Sequence, residues 1–107
     1  MATTASGTDF YKLTVTAGVP VALGLAATKF RSVTFFGCKA AKTNNTDTVY
    51  VRFTGGTGWA PLAPGGFLAF TAADSRPYTA AMFEIDSAVN AEGVLAITEN
   101  PGGYDGP

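Results

Sequence analysis

Residues 44–70 read NNTDTVYVRFTGGTGWAPLAPGGFLAF. Within them Val49, Val51 and Phe53 alternate with Thr48, Tyr50, Arg52 and Thr54. A period of two sends successive side chains to opposite sides of a pleated backbone, so this segment is expected as a strand with one buried face. Asn44, Asn45, Thr46 and Asp47 ahead of it carry short polar side chains that bond nearby backbone and favour a turn. Gly55, Gly56 and Gly58 open a loop that needs backbone conformations other residues resist. Trp59, Pro61 and Leu62 then run extended to the Ala-Pro-Gly-Gly turn at residues 63–66, and Phe67 begins the next strand.

Working outward, residues 1–9 are small and polar and are expected as a flexible arm. Residues 10–16 read as a strand, with Tyr11, Leu13 and Val15 facing one way and Phe10, Lys12, Thr14 and Thr16 the other. Residues 19–25 alternate again through Val19, Val21, Leu23 and Leu25, with Pro20 placing them at a sheet edge or start. Residues 24–27 could add a short helical turn. Residues 31–40 carry Val33, Phe35, Phe36 and Cys38, apolar on both faces, as in a central strand.

Beyond residue 70, residues 72–77 are a loop by their turn chemistry. Residues 78–86 form a strand with Phe83 and Ile85 inward and Met82, Glu84 and Asp86 outward. A turn over 87–93 leads to a last strand, 94–99, with Leu95 and Ile97 inward, and residues 100–107 form a tail. About seven to eight strands with turns between them predict an all-β fold, an antiparallel β-sandwich or jelly-roll-like barrel over residues 10–99. The expected core is Val33, Phe35, Val49, Val51, Phe53, Phe70, Phe83, Ile85, Leu95 and Ile97.

Charge is scarce. Only 14% of residues are charged, against about 25% in ordinary soluble domains, so Thr, Ser, Asn, Ala and Gly must cover the surface. A surface that packs against other protein tolerates this. The net charge of −1 conceals a split: residues 1–52 sum to +4 and residues 53–107 to −5. The two halves could attract within a subunit or between neighbours. Four basic residues, Lys29, Arg31, Lys39 and Lys42, are too thin a footprint for nucleic acid. The longest apolar run, residues 19–27, falls far short of the ~20 residues that cross a bilayer. The start of the chain lacks the pattern of a signal peptide.

Reactive chemistry is removed largely by composition. The chain has no histidine, which eliminates imidazole-based triads and most zinc sites. The single Cys38 cannot form an internal disulfide and is expected as a buried, inert thiol. Glu84 and Asp86 stand two apart on one strand face, where they could ligate Ca²⁺ or act as a carboxylate pair; a solvated face is the commoner meaning. Gly55-Gly56-Thr57-Gly58 lacks the Gly-Lys-Ser/Thr and the helix of a phosphate loop. No catalytic residue, cofactor or resident metal is expected. Trp59 with Tyr50, Tyr78 and Phe67 could form an aromatic platform for sugar, or serve only as core.

The Asn-rich turn, the Thr-Val-Tyr-Val strand, the glycine loop, Trp-x-Pro-Leu-x-Pro-Gly and Phe-Leu-Ala-Phe, in that order, resemble small β-sandwich structural proteins of tailed bacteriophages. The likeness is greatest to capsid decoration (cement) proteins, weaker to head–tail and fibre components, and spans residues 33–98. Gly66 departs from the polar or acidic residue that members often carry after Pro-Gly. The resemblance implies a non-enzymatic virion protein, made in the host cytoplasm and carried on the capsid surface. Its subunits would clamp adjacent major capsid proteins and self-associate, commonly as trimers.

The expected partner-binding residues are Trp59, Pro61, Leu62 and Pro64 in the glycine-flanked loop, and Tyr104, the one large side chain of the tail. The alternative is a carbohydrate- or host-surface-binding tail or fibre module using Trp59 and its aromatic neighbours.

Overall fold

The alternation of residues 49–53 is realised as a strand, β4 (Val49–Phe53), with Val49 and Val51 buried and Tyr50 and Arg52 on the opposite side. The computed structural model describes residues 9–24, 29–39, 43–72 and 77–99. Residues 1–8 of the expected arm, the helical turn after Gly24, Leu25 and the tail with Tyr104 lie outside the described residues, and Asp9, expected as the end of the arm, already belongs to the first strand.

The other strands are β1 (Asp9–Val15), β2 (Val21–Ala22), β3 (Ser32–Phe36), β5 (Ala60–Leu62), β6 (Phe67–Thr71), β7 (Phe83–Ser87) and β8 (Glu92–Glu99). They form two four-stranded antiparallel sheets, ordered β1-β8-β3-β6 and β2-β7-β4-β5. β1 pairs with β8, β2 with β7, β3 with β6 and β4 with β5. The chain is therefore one long hairpin, tipped at β4–β5 and rolled so that its pairs alternate between two sheets. That winding is a jelly roll. The sheets stay open, so the fold is a sandwich rather than a closed barrel.

Inner faces meet in a core of Val15, Leu23, Phe30, Val33, Phe35, Val49, Val51, Leu62, Phe83, Ile85, Val94 and Ala96. Phe83 is its hub. Its ring centroid lies 5.1 Å from those of Phe53 and Tyr78, 5.3 Å from Phe35, 5.6 Å from Phe70 and 6.4 Å from Phe30. Edge and tilted contacts of this kind add about 0.5–1.5 kcal/mol per pair to the burial of the rings themselves.

The last strand has the opposite face inward from that expected. Val94, Ala96 and Thr98 are buried, whereas Leu95 and Ile97 are only half-buried and face outward. Volume decides this. Ala96 pairs with Tyr11 on one side and Phe35 on the other, so two large inward side chains leave room for only a methyl between them.

Phe53 is also corrected: it is 47% exposed, because it ends β4 at the rim, where its ring still packs against Phe70, Tyr78 and Phe83. Phe70 is half-buried. The segment expected as one strand over 78–86 is a single Phe30–Tyr78 bridge, a turn of 3-10 helix over Ala80–Met82, and then β7. Cys38 is not fully buried, since β3 ends at Phe36 and Cys38 makes only an isolated bridge to Asn44.

Candidate functional site

Two outer sheet faces of opposite character are the candidate surfaces. On β1-β8-β3-β6, pairing aligns Phe10, Ile97, Thr34 and Ala69 in one row and Lys12, Leu95, Phe36 and Phe67 in the next. Phe67 is 68% exposed and Phe10 64%. The band crosses four strands, about 14 Å between the outer two, with rows about 7 Å apart. Between Phe36, Cys38, Leu95 and Ile97 lies a groove of about 250 Å³. The next row, Ser32, Glu99 and Thr71, is small and polar apart from the one carboxylate.

The outer face of β2-β7-β4-β5 is polar, charged and aromatic. Arg52 pairs with Glu84 across β4 and β7, and its Nε donates to Glu84 Oε1 at 2.8 Å. Its Nη1 donates to the Gly56 carbonyl at 3.0 Å, and Cζ sits 4.1 Å from the Trp59 ring centroid. The glycine loop makes this possible: Gly55 takes φ +81°, and Gly56 donates back to Phe53 O at 2.8 Å, presenting the Gly56 carbonyl to Arg52. Tyr50, Trp59, Asp86, Ser87 and Ala88 line a neighbouring cleft of about 310 Å³.

Glu84 and Asp86 therefore do not act as a pair. Glu84 holds Arg52, whereas Asp86 Oδ1 accepts Gly18 N–H at 2.9 Å and Ser87 N–H at 2.7 Å. Among the described residues no group of three or more His, Cys, Asp or Glu side chains is placed to hold a metal ion. No helix among them is long and apolar enough to cross a membrane.

A buried carboxylate ties β8 to the loop that leads into β4. Glu92, 1% exposed, accepts Thr46 N–H at 2.8 Å and Asp47 N–H, and its Oε1 lies 3.5 Å from Lys39 Nζ. Burial pushes its pKa up, but the two backbone donors and Lys39 outweigh burial and hold it below the ordinary carboxylate value. Sequence reading placed Glu92 in a turn and missed it, because no local pattern marks a carboxylate whose donors lie 45 or more residues away.

The expected partner-binding residues separate. Trp59 is half-buried, and Pro61 and Pro64 are exposed. Leu62 is 1% exposed and belongs to the core, because β5 alternates and turns it inward between Pro61 and Ala63. Of the expected aromatic platform, Tyr50 and Trp59 come together. Tyr78 packs on Phe83, and Phe67 stands on the other sheet. The apolar band was missed through the inverted face of residues 94–99. No protein-family model matches the chain, and no curated protein matches its sequence.

Proposed function

We propose that this chain is a non-enzymatic structural protein of a virion, a capsid decoration protein that seats on the major capsid protein shell through the outer face of β1-β8-β3-β6. The observation that carries the reading is the near-neutral apolar band of Phe10, Phe36, Phe67, Ala69, Leu95 and Ile97. Burying such a band contributes about 25 cal/mol per Å² of apolar surface, and the sparse charge around it keeps the desolvation cost small. Jelly rolls serve as both capsid and lectin domains, so the winding alone does not choose between them. The resemblance of residues 33–98 to decoration proteins supports the capsid reading, with self-association, as in a trimer, on the shell.

Cryo-electron microscopy of particles carrying the chain, together with its copy number per particle, tests this. A decoration protein appears in many symmetry-related copies with β1-β8-β3-β6 against the shell. A few copies confined to the tail or fibres, or none on the particle, would overturn it.

A further inference from the structure

We propose that the cleft between Tyr50, Trp59 and Asp86 binds a neutral saccharide, with one pyranose ring stacked on an aromatic wall and its hydroxyls bonded to Asp86. The cleft lies on the sheet opposite the apolar band, so it stays open when that band is covered, and it stands independently of the capsid reading.

The wall is held before any ligand arrives. Arg52 is fixed by Glu84 and by the Gly56 carbonyl, and its guanidinium backs the Trp59 ring at 4.1 Å. An aromatic side chain held this way loses little freedom on binding, which removes part of the cost of association. Tyr50 stands beside it, paired with Asp86 across β4–β7 and with Pro61 across β4–β5. At about 310 Å³ the cleft is near the lower bound of small-molecule sites, about 300 Å³, which suits one or two sugar rings rather than a larger ligand.

The polar groups select the class. Asp86 Oδ1 takes two backbone N–H groups, which fix the carboxylate plane. Among the described residues Oδ2 has no protein partner, so it is the acceptor a sugar hydroxyl requires. Anions are disfavoured by the Asp86 carboxylate, since the Glu84 charge on the same face is already paired with Arg52. Cations are disfavoured because Arg52 already stacks on the indole. A pyranose ring meets both conditions: it is uncharged, its C–H face lies flat on an aromatic ring, and its rim carries hydroxyls.

Trp59 is the only tryptophan, so its emission reports on this cleft directly. The full chain is titrated with methyl glucoside, methyl galactoside and N-acetylglucosamine, with choline and sialic acid as charged probes, and applied to an array of neutral glycans. At least one neutral sugar is expected to shift Trp59 emission saturably, while choline and sialic acid do not. Asp86→Asn keeps an oxygen for the Gly18 and Ser87 N–H groups but puts an NH₂ donor where the Oδ2 acceptor stood, and is expected to lower affinity about tenfold, or about 1.4 kcal/mol. Arg52→Ala is expected to weaken binding by freeing the indole, with circular dichroism showing the fold intact. The absence of a saturable response to every neutral sugar, a response to choline or sialic acid instead, or full affinity in Asp86→Asn would each overturn the proposal.

Discussion

Asn45 and Gly93 are joined as if the asparagine side chain were a strand. Asn45 Nδ2 donates to Gly93 O at 2.8 Å, and Gly93 N–H donates to Asn45 Oδ1 at 2.8 Å. β3 stops pairing with β8 at Phe36–Leu95, and the amide of Asn45 takes over the ladder just beyond it. Asn45 N–H in turn donates to Gly37 O at 3.1 Å, so one loop residue ties β8 to the end of β3. Asn45→Ala leaves both Gly93 groups without partners in a buried site. It is expected to cost about 1–3 kcal/mol for each group that water cannot reach, read as a lower urea midpoint with unchanged slope.

Glu92 gives the fold a defined acid limb. Its folded pKa lies below the ordinary value, so its stabilising contribution is fully present above the unfolded value of about 4.3 and is lost as pH falls through the folded one. The stability gap between the native chain and Glu92→Gln is therefore expected to be constant above about pH 5 and to shrink below about pH 4.3. Unfolding curves across that range check it; a gap that widened toward acid would contradict the arrangement.

Phe83 carries more ring contacts than any other described residue and is fully buried. Phe83→Ala is expected to cost about 3–5 kcal/mol, a large part of the 5–15 kcal/mol that holds a typical domain. Phe53→Ala, at the exposed rim of the same cluster, is expected to cost clearly less. Parallel denaturant titrations rank the two.

The apolar band should matter to assembly far more than to folding. Phe10→Ser and Phe67→Ser replace side chains that are mostly in solvent, so each is expected to change stability by no more than about 0.5 kcal/mol. Together they are expected to lower occupancy on isolated shells strongly, whereas Pro61→Ala and Pro64→Ala leave it nearly unchanged. Co-sedimentation of each variant with shells measures this; a loss confined to Pro61→Ala and Pro64→Ala would move the docking surface to the loop, and undiminished occupancy in the phenylalanine variants would rule out the band.

Much of the fold was legible. Alternation placed Val49, Val51, Phe83 and Ile85 inward, because those apolar side chains alternate with polar or charged ones, and it sorted both faces of β1, where Tyr11, Leu13 and Val15 lie opposite Phe10, Lys12 and Thr14. The rule failed at residues 94–99, where the larger side chains are outside. It failed because strand pairing had already filled the inner row with Tyr11 and Phe35, which a single strand read alone cannot show. Of the cleft, Trp59 and Tyr50 were visible as aromatics. That Asp86 joins them, while Tyr78 and Phe67 do not, depends on which strands lie side by side.

By itself the sequence determined that the chain would be all-β, since short period-two runs broken by glycine, proline and asparagine permit little else. It also removed imidazole chemistry, because composition does not depend on folding. Only the tertiary structure decided which side of β8 faces solvent, that Leu62 is core, that Glu92 is a buried acceptor and that Arg52 backs Trp59. Each of these is set by contacts between residues distant along the chain. The order in which the jelly roll lays its strands beside one another fixes those contacts, and local propensity carries no record of that order.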